Sequence, residues 1–173
     1  MPAIYQPNPA HSCRLDTPLG TVFASAVGEA LTGLWFNGQK YIPHNWDSLN
    51  FEPDYPVFVK LRAWLAGYFS GSDIPPDLPL APQGTPFQKA VWNILLEIPH
   101  GQVTTYGAIA RKIAAGRQIA VMSARAVGQA VGHNPIAILI PCHRVIGANR
   151  SLTGYAAGLD RKRYLLNLEH IDL

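Results

Sequence analysis

A chain of 173 residues, 48% hydrophobic and 14% charged, can build one substantial core or two small domains and is too apolar for a disordered tail. No apolar stretch approaches transmembrane length, and the opening Met1 to Pro7 lacks the basic and apolar regions of a signal peptide, so a cytoplasmic protein with no membrane partner is expected. The net charge of +3 is unevenly placed, with −3 over residues 1–85 and +6 over residues 86–173, which directs any anionic partner, nucleic acid first among them, to the second half. A solvated basic face gives the same imbalance, so charge alone does not decide the point.

In the first half, Thr21 to Ala26 and Ala30 to Phe36, separated by Val27, Gly28 and Glu29, have the β-branched and aromatic content of a hairpin. Asn37 to Pro53, with Gly38, Pro43 and several polar residues, reads as irregular. Asp54 and Pro56 open a helix whose Leu61, Trp64, Leu65, Tyr68 and Phe69 share one face and which ends near Ser70 and Gly71. Its aromatic residues are assigned to packing against the hairpin and to no chemistry. Pro75, Pro76, Pro79 and Pro82 resist both helix and ladder hydrogen bonding, so residues 72–84 are read as a linker after an N-terminal domain of residues 1–71.

Residues 85–173 begin with a capping box, Thr85 as N-cap, Pro86 at the first helical position and Gln88 three residues on. Phe87, Val91, Ile94, Leu95 and Ile98 supply that helix with an apolar face, and Pro99 to Gly101 stops it. A short extended piece, Gln102 to Thr105, leads to a second helix from Tyr106 to about Ala115, packed through Ile109, Ala110 and Ile113. Ser123 caps a third helix that contains Arg125, Val127, Gln129 and Val131 and closes at Gly132. Two short helices joined by a turn match a helix-turn-helix, although helical hairpins that never meet DNA share the pattern. Gly147 to Gly158 reads as a loop that walls a pocket, and Leu159 to Glu169 as a basic amphipathic helix. On that last helix Tyr164, Leu165 and Leu168 are placed inward, with Arg161, Lys162 and Arg163 left for phosphates or solvent. The expected fold is α+β: a small N-terminal α/β-type domain and a mostly helical, winged-helix-like C-terminal domain.

Five apolar residues, Ile136 to Ile140, run into Pro141, Cys142, His143 and Arg144. A continuous apolar run bounded by prolines reads as a buried strand, which places Cys142 where a rigid core element meets the surface. Cationic neighbours lower a thiol's pKa, and the thiolate is the nucleophilic species. Cys13 has no such company; with His11 alone beside it no metal site is expected, and two cysteines are too few for a disulfide framework.

The run from Gly132, His133, Asn134 and Pro135 through Pro141, Cys142, His143, Arg144 and Val145 resembles the active-site signature of the O6-alkylguanine-DNA alkyltransferases, the methylated-DNA–protein-cysteine methyltransferases. The resemblance is specific over residues 84–173 and general before them. It implies direct reversal of damage in double-stranded DNA, with an alkyl group moving irreversibly from O6-alkylguanine to Cys142 and O4-alkylthymine as a second candidate substrate. It also implies a protein that acts once, as a monomer, with no cofactor and no metal. In the resemblance His143 deprotonates Cys142 through a water, Glu169 orients His143, Asn134 braces the cysteine turn, and Tyr106 donates to the purine. Arg125 is implied as a finger entering the base stack, with Ser123, Ala124 and Gly128 as small neighbours at the DNA, and Val145, Tyr155 and Ala156 as the substrate pocket. A base inside a duplex must be flipped out to reach a pocketed nucleophile, which is why a wedge is needed. Ala156 and Ala157 depart from the serine and second glycine of some members.

Read without the resemblance, Asn134 is equally a helix-stop residue and Tyr106 the first aromatic of a packed helix. Three other classes of function fit parts of the sequence. A non-catalytic binder of alkylated DNA needs no cysteine, a Cys/His hydrolase needs an oxyanion hole and a more distant histidine, and a winged-helix-like binding module needs no chemistry.

Overall fold

The computed structural model describes residues 10–173, so the opening stretch weighed above as a signal peptide lies outside the described residues. Strands β1 (Ala10–Thr17), β2 (Gly20–Val27) and β3 (Ala30–Phe36) form an antiparallel meander, to which β4 (Asn50–Phe51) adds a short parallel edge beside β1. The expected hairpin is therefore the outer half of a sheet ordered β3-β2-β1-β4. Its first strand escaped the sequence reading because polar His11, Ser12, Arg14 and Asp16 break up the apolar pattern. The stretch from Asn37 to Pro53 is irregular apart from β4 and a 3₁₀ turn at Trp46–Ser48.

Alternate residues Cys13, Leu15, Val22, Ala24 and Ala26 share one core cluster with Val57, Phe58, Leu61 and Leu65 of helix α1 (Pro56–Phe69). The other face is covered in part by Trp46, whose ring stacks on Phe23 at 4.0 Å with the Arg14 guanidinium above both.

The outer edge of β3 is paired. Leu31 donates to Pro79 O at 2.8 Å and accepts from Ala81 N–H at 2.8 Å, so the proline-rich stretch lies against the sheet. Leu34 does the same with Pro135 O (2.8 Å) and Ala137 N–H (2.9 Å). That second pairing fixes the segment before Cys142 to the sheet.

The C-terminal unit starts with α2 (Pro86–Leu96), where Thr85 and Gln88 form the full reciprocal capping box. Thr105 caps α3 (Tyr106–Arg117), which follows the two-residue strand β5 (Thr104–Thr105), and Ser123 caps α4 (Ala124–Gly132) through Ala126 N–H. Trp92 on α2, absent from the expected apolar face, is buried and donates to Ala130 O on α4 at 2.9 Å. Strand β6 (Val145–Ile146) pairs in parallel with β5, and α5 (Leu159–Leu168) closes the chain.

The apolar run before Cys142 is not the expected strand. Beyond the single pairing at Leu34 it folds into a tight buried turn that ends in a 3₁₀ turn at Cys142–Arg144. The Asn134 side chain takes the place of a ladder: its Oδ1 accepts from Ile136 N–H (3.0 Å) and its Nδ2 donates to Ile140 O (2.7 Å). Backbone groups buried in this turn must be paired somewhere, and one amide bridges both ends. Ile138 sits at φ +69°, a left-handed conformation that costs a β-branched residue on the order of 1–3 kcal/mol and is held by complete burial of its neighbours Ile136 and Ile140.

Candidate active site

Glu169, just past the end of α5, is 1% exposed and collects four donor contacts on its two oxygens. Oε1 accepts from Tyr68 Oη (2.6 Å), from Arg144 Nη2 (3.0 Å) and from His143 Nε2 (2.7 Å), while Oε2 accepts from Arg144 Nε (2.8 Å). Burial alone would raise the carboxyl's pKa, but the hydrogen bonds from His143, Arg144 and Tyr68 overcome it and hold Glu169 well below the usual carboxylate range.

His143 is fully buried, and burial lowers its pKa against the opposing pull of Glu169, so the ring is neutral at pH 7. With Nε2–H directed at Glu169, the basic lone pair is on Nδ1. That atom is buried and has no hydrogen-bond partner among the described residues. A buried nitrogen of this kind calls for a small polar partner, and the thiol of the preceding residue needs an acceptor.

Cys142 is 7% exposed, and its sulfur accepts a hydrogen bond from Asn134 Nδ2 at 3.0 Å. The expectation that cationic neighbours depress its pKa is corrected. Burial pushes the thiol up, and the Asn134 hydrogen bond and the Lys162 charge offset only part of that. Neither expected cation is available, because His143 is neutral and Arg144 is spent on Glu169 and on Ile98 O (2.6 Å). Cys142 rests as a thiol, and a thiolate there would have to be made by a base.

Lys162 overturns its expected role. It is 0% exposed, and its ammonium donates to the carbonyls of Thr153 (2.6 Å), Gly154 (3.1 Å) and Val145. Spaced three, four and seven residues from Leu165, Leu166 and Glu169, it lies on the buried stripe of α5. Burial brings its pKa down to about 8, partly countered by Cys142. Arg161 is likewise committed, donating to Leu19 O (3.1 Å) and Ala157 O (3.0 Å), whereas Tyr164, expected inward, is 40% exposed. Of the expected basic triad only Arg163 remains exposed.

A cavity of about 160 Å³ opens beside Cys142, lined by Tyr106 from α3, Gly128 and Val131 from α4, Gly154, Tyr155 and Ala156 from the loop before α5, and Lys40 and Tyr41 from the sheet unit. Tyr106 Oη reaches Thr153 O (3.3 Å) and Gly154 O (3.4 Å), the two carbonyls that Lys162 also holds. Gly154 has φ +54°, and a Cβ there would lie 3.1 Å from the Tyr106 hydroxyl, so a larger residue would bring backbone strain and a tight contact to this turn. Val145 does not line this cavity; it is buried behind Cys142, paired with Thr104 and lending its carbonyl to Lys162. Ser123, Ala124 and Arg125 form the exposed start of α4, with the remainder of that helix leading back to the cavity wall at Gly128.

Residues 86–171 match the family described as 6-O-methylguanine DNA methyltransferase, DNA binding domain. The methylated-DNA–protein-cysteine methyltransferase of Haemophilus influenzae is 41% identical over 157 residues, covering 90% of this chain and 83% of that protein. Its namesake in Mycobacterium tuberculosis is 44% identical over 159 residues, 92% of each chain. This chain belongs to the methylated-DNA–protein-cysteine methyltransferase family. The crystal structure of Mycobacterium tuberculosis OGT in complex with DNA has the same α+β fold, with a TM-score of 0.81 at 43% identity over 92% of each chain.

For a methyltransferase of this family, the site holds two residues whose sequence context points elsewhere, Tyr68 and Lys162. The helical stripe places Tyr68 in packing, yet its hydroxyl makes the shortest contact to Glu169; nothing in an aromatic helical stripe distinguishes a ring with a buried polar tip. Lys162 did carry a signal, since its spacing from Leu165 and Glu169 marks the apolar face of α5. Among the described residues no group of three or more His, Cys, Asp or Glu side chains could hold a metal ion, and no helix is long and apolar enough to cross a membrane.

Proposed function

We propose that this protein repairs O6-alkylguanine in double-stranded DNA by taking the alkyl group onto Cys142 Sγ, with O4-alkylthymine as a second substrate. In this reading a water held by His143 Nδ1 carries the Cys142 proton to the imidazole, whose new charge is stabilised by the Glu169 carboxylate on Nε2. The sulfur attacks the alkyl carbon, an S–C bond forms, the C–O6 bond breaks, and the electron pair leaves with guanine. Tyr106 donates to the departing purine, and Asn134 and Lys162 stabilise the sulfur while it carries charge. The thioether has no route back to a thiol, so each molecule acts once.

Arg125 on the exposed start of α4 takes the place of the extruded nucleotide, and the adjoining Ser123, Ala124 and Gly128 let the helix approach the DNA backbone closely. Residues 85–173 are the transfer domain, and residues 72–84 connect it to a supporting N-terminal unit that ends at residue 71. The protein acts as a monomer in the cytoplasm, where a lone reactive thiol stays reduced.

The observation that carries this reading is a neutral, fully buried His143 fixed to Glu169 by one nitrogen, with the other unpaired among the described residues, one residue from a thiol that borders a cavity. Peptide mass spectrometry after mixing with duplex DNA containing O6-methylguanine tests it. One methyl group on the Cys142 peptide, saturating at one per protein, is expected; tight binding with no mass gain would make the protein a damage binder instead.

A further inference from the structure

Two walls of the cavity beside Cys142 come from outside the C-terminal unit. Lys40 and Tyr41 follow β3, and the segment Asn37 to Tyr41 crosses from the sheet to the loop before α5. It is anchored along its length. Asn37 N–H donates to Thr21 O (2.9 Å), the Gln39 side chain accepts from Phe36 N–H (2.8 Å), and Lys40 N–H donates to Ala156 O (3.0 Å) on the cavity wall. Gln39 is buried, and the backbone turns through φ +78° at Gly38 and φ +65° at Tyr41, a conformation a tyrosine adopts only where the surroundings impose it.

The outcome of that geometry is an aromatic pair of which Tyr41 lines the cavity and His133 backs it from outside. The Tyr41 ring stacks on His133 with centroids 3.9 Å apart and planes 22° from parallel. His133 is in turn fixed, its Nδ1 lying 2.7 Å from Gln129 O, and it immediately precedes the Asn134 that holds the Cys142 sulfur. Tyr41 lines the cavity and is also 59% exposed, which places its ring between the cavity and solvent. The cavity it borders, about 160 Å³, is smaller than the ~300 Å³ at which pockets for drug-sized ligands begin.

We propose that the strap Gly38–Tyr41 is the size gate of this cavity, the Tyr41 ring, held in place by its stack on His133, limiting which O6-alkyl groups reach Cys142. The assignment rests on the alkyl-transfer reading above. It makes Tyr41 a specificity-determining residue donated by the sheet unit, and it makes small adducts the preferred substrate class.

The test uses the full chain and two duplexes, one carrying O6-methylguanine and one O6-benzylguanine, with single-turnover rates read as alkylated Cys142 by mass spectrometry. Removing the Tyr41 ring, or the His133 ring that holds it, should act on the order of tenfold or more, the size of discrimination that pocket shape supplies. Tyr41→Ala and His133→Ala are each expected to raise the benzyl-to-methyl rate ratio about tenfold, whereas Tyr41→Phe, which keeps the stacked ring, holds the wild-type ratio. Should Tyr41→Ala fail to fold, His133→Ala and Tyr41→Leu carry the same comparison. An unchanged ratio overturns the gate, as does a fall, which would mean that Tyr41 attracts bulky groups. Wild-type protein that alkylates on neither duplex defeats the transfer reading itself, an outcome distinct from transfer at an unaltered ratio.

Discussion

Cys13 in the middle of β1 and Cys142 at the end of the Asn134 turn are both buried thiols, and burial raises the pKa of both. Their surroundings then part. Cys13 sits in the apolar layer between the sheet and α1, and burial drives it to about 12 with only the Arg62 charge opposing. Cys142 has an amide donor on its sulfur, a buried ammonium nearby, and a neutral imidazole on the next residue backed by a carboxylate. Burial by itself produces an inert thiol. A reactive one needs groups that hold the negative charge once a base has taken the proton.

Each element of that difference is removable. Cys142→Ala should abolish alkyl transfer, while Cys13→Ala should leave the transfer rate within about twofold and cost on the order of 1 kcal/mol in denaturant unfolding. Asn134→Ala strips the sulfur of its donor, orphans Ile136 N–H in a buried turn and leaves Ile140 C=O with Cys142 N–H alone, making Cys142 resemble Cys13. A rate loss of about 100-fold and a stability loss of ~2–4 kcal/mol are expected, checked by single-turnover kinetics and urea titration.

Glu169→Gln leaves His143 without its counter-charge and should slow transfer by about 10- to 100-fold. The same pair sets the acid limb of stability. Glu169 and His143 both have folded pKa values below their unfolded ones, so the unfolded chain binds more protons and stability falls as pH drops below about 6.5 and further through the carboxylate range. Glu169→Gln should flatten the lower part of that decline in unfolding curves.

Arg125→Ala touches neither cysteine's surroundings. It should weaken repair of duplex DNA at least about tenfold more than reaction with O6-alkylguanine as the free base, and equal losses would deny it a flipping role. The smallest effect is expected at Lys162. Its folded pKa of about 8 predicts a transfer rate that declines as pH rises through that value, and Lys162→Met should lower the rate about tenfold at pH 7 and lack the alkaline decline.

The elements with a local signal were legible in the sequence. The Thr85 capping box, the Ser123 cap and the Thr21–Phe36 hairpin need only residues within a few positions of one another. What was lost depends on distant partners. The Ile136–Ile140 run reads as a strand because apolar content cannot reveal that one asparagine pairs both ends of a turn. Lys162 reads as solvent-facing because its carbonyl partners come from a separate loop and strand. Tyr68 and Tyr41 reach the site from the sheet unit across 101 and 92 residues of sequence to Glu169 and His133. Cys142, His143, Asn134 and Glu169 carry the motif and the fold brings them together; the neighbouring cations suggest a resting thiolate, and the fold replaces that with a resting thiol beside the histidine that the resemblance makes its base.

The pH titration of the two cysteine Cβ resonances in ¹³C-cysteine-labelled protein, assigned with Cys13→Ser, tests that replacement most directly. The account predicts that both remain in the thiol position at pH 7.5, in protein that nonetheless transfers the alkyl group at that pH. A Cys142 resonance already at its thiolate position at neutral pH, unmoved by Glu169→Gln, would contradict it.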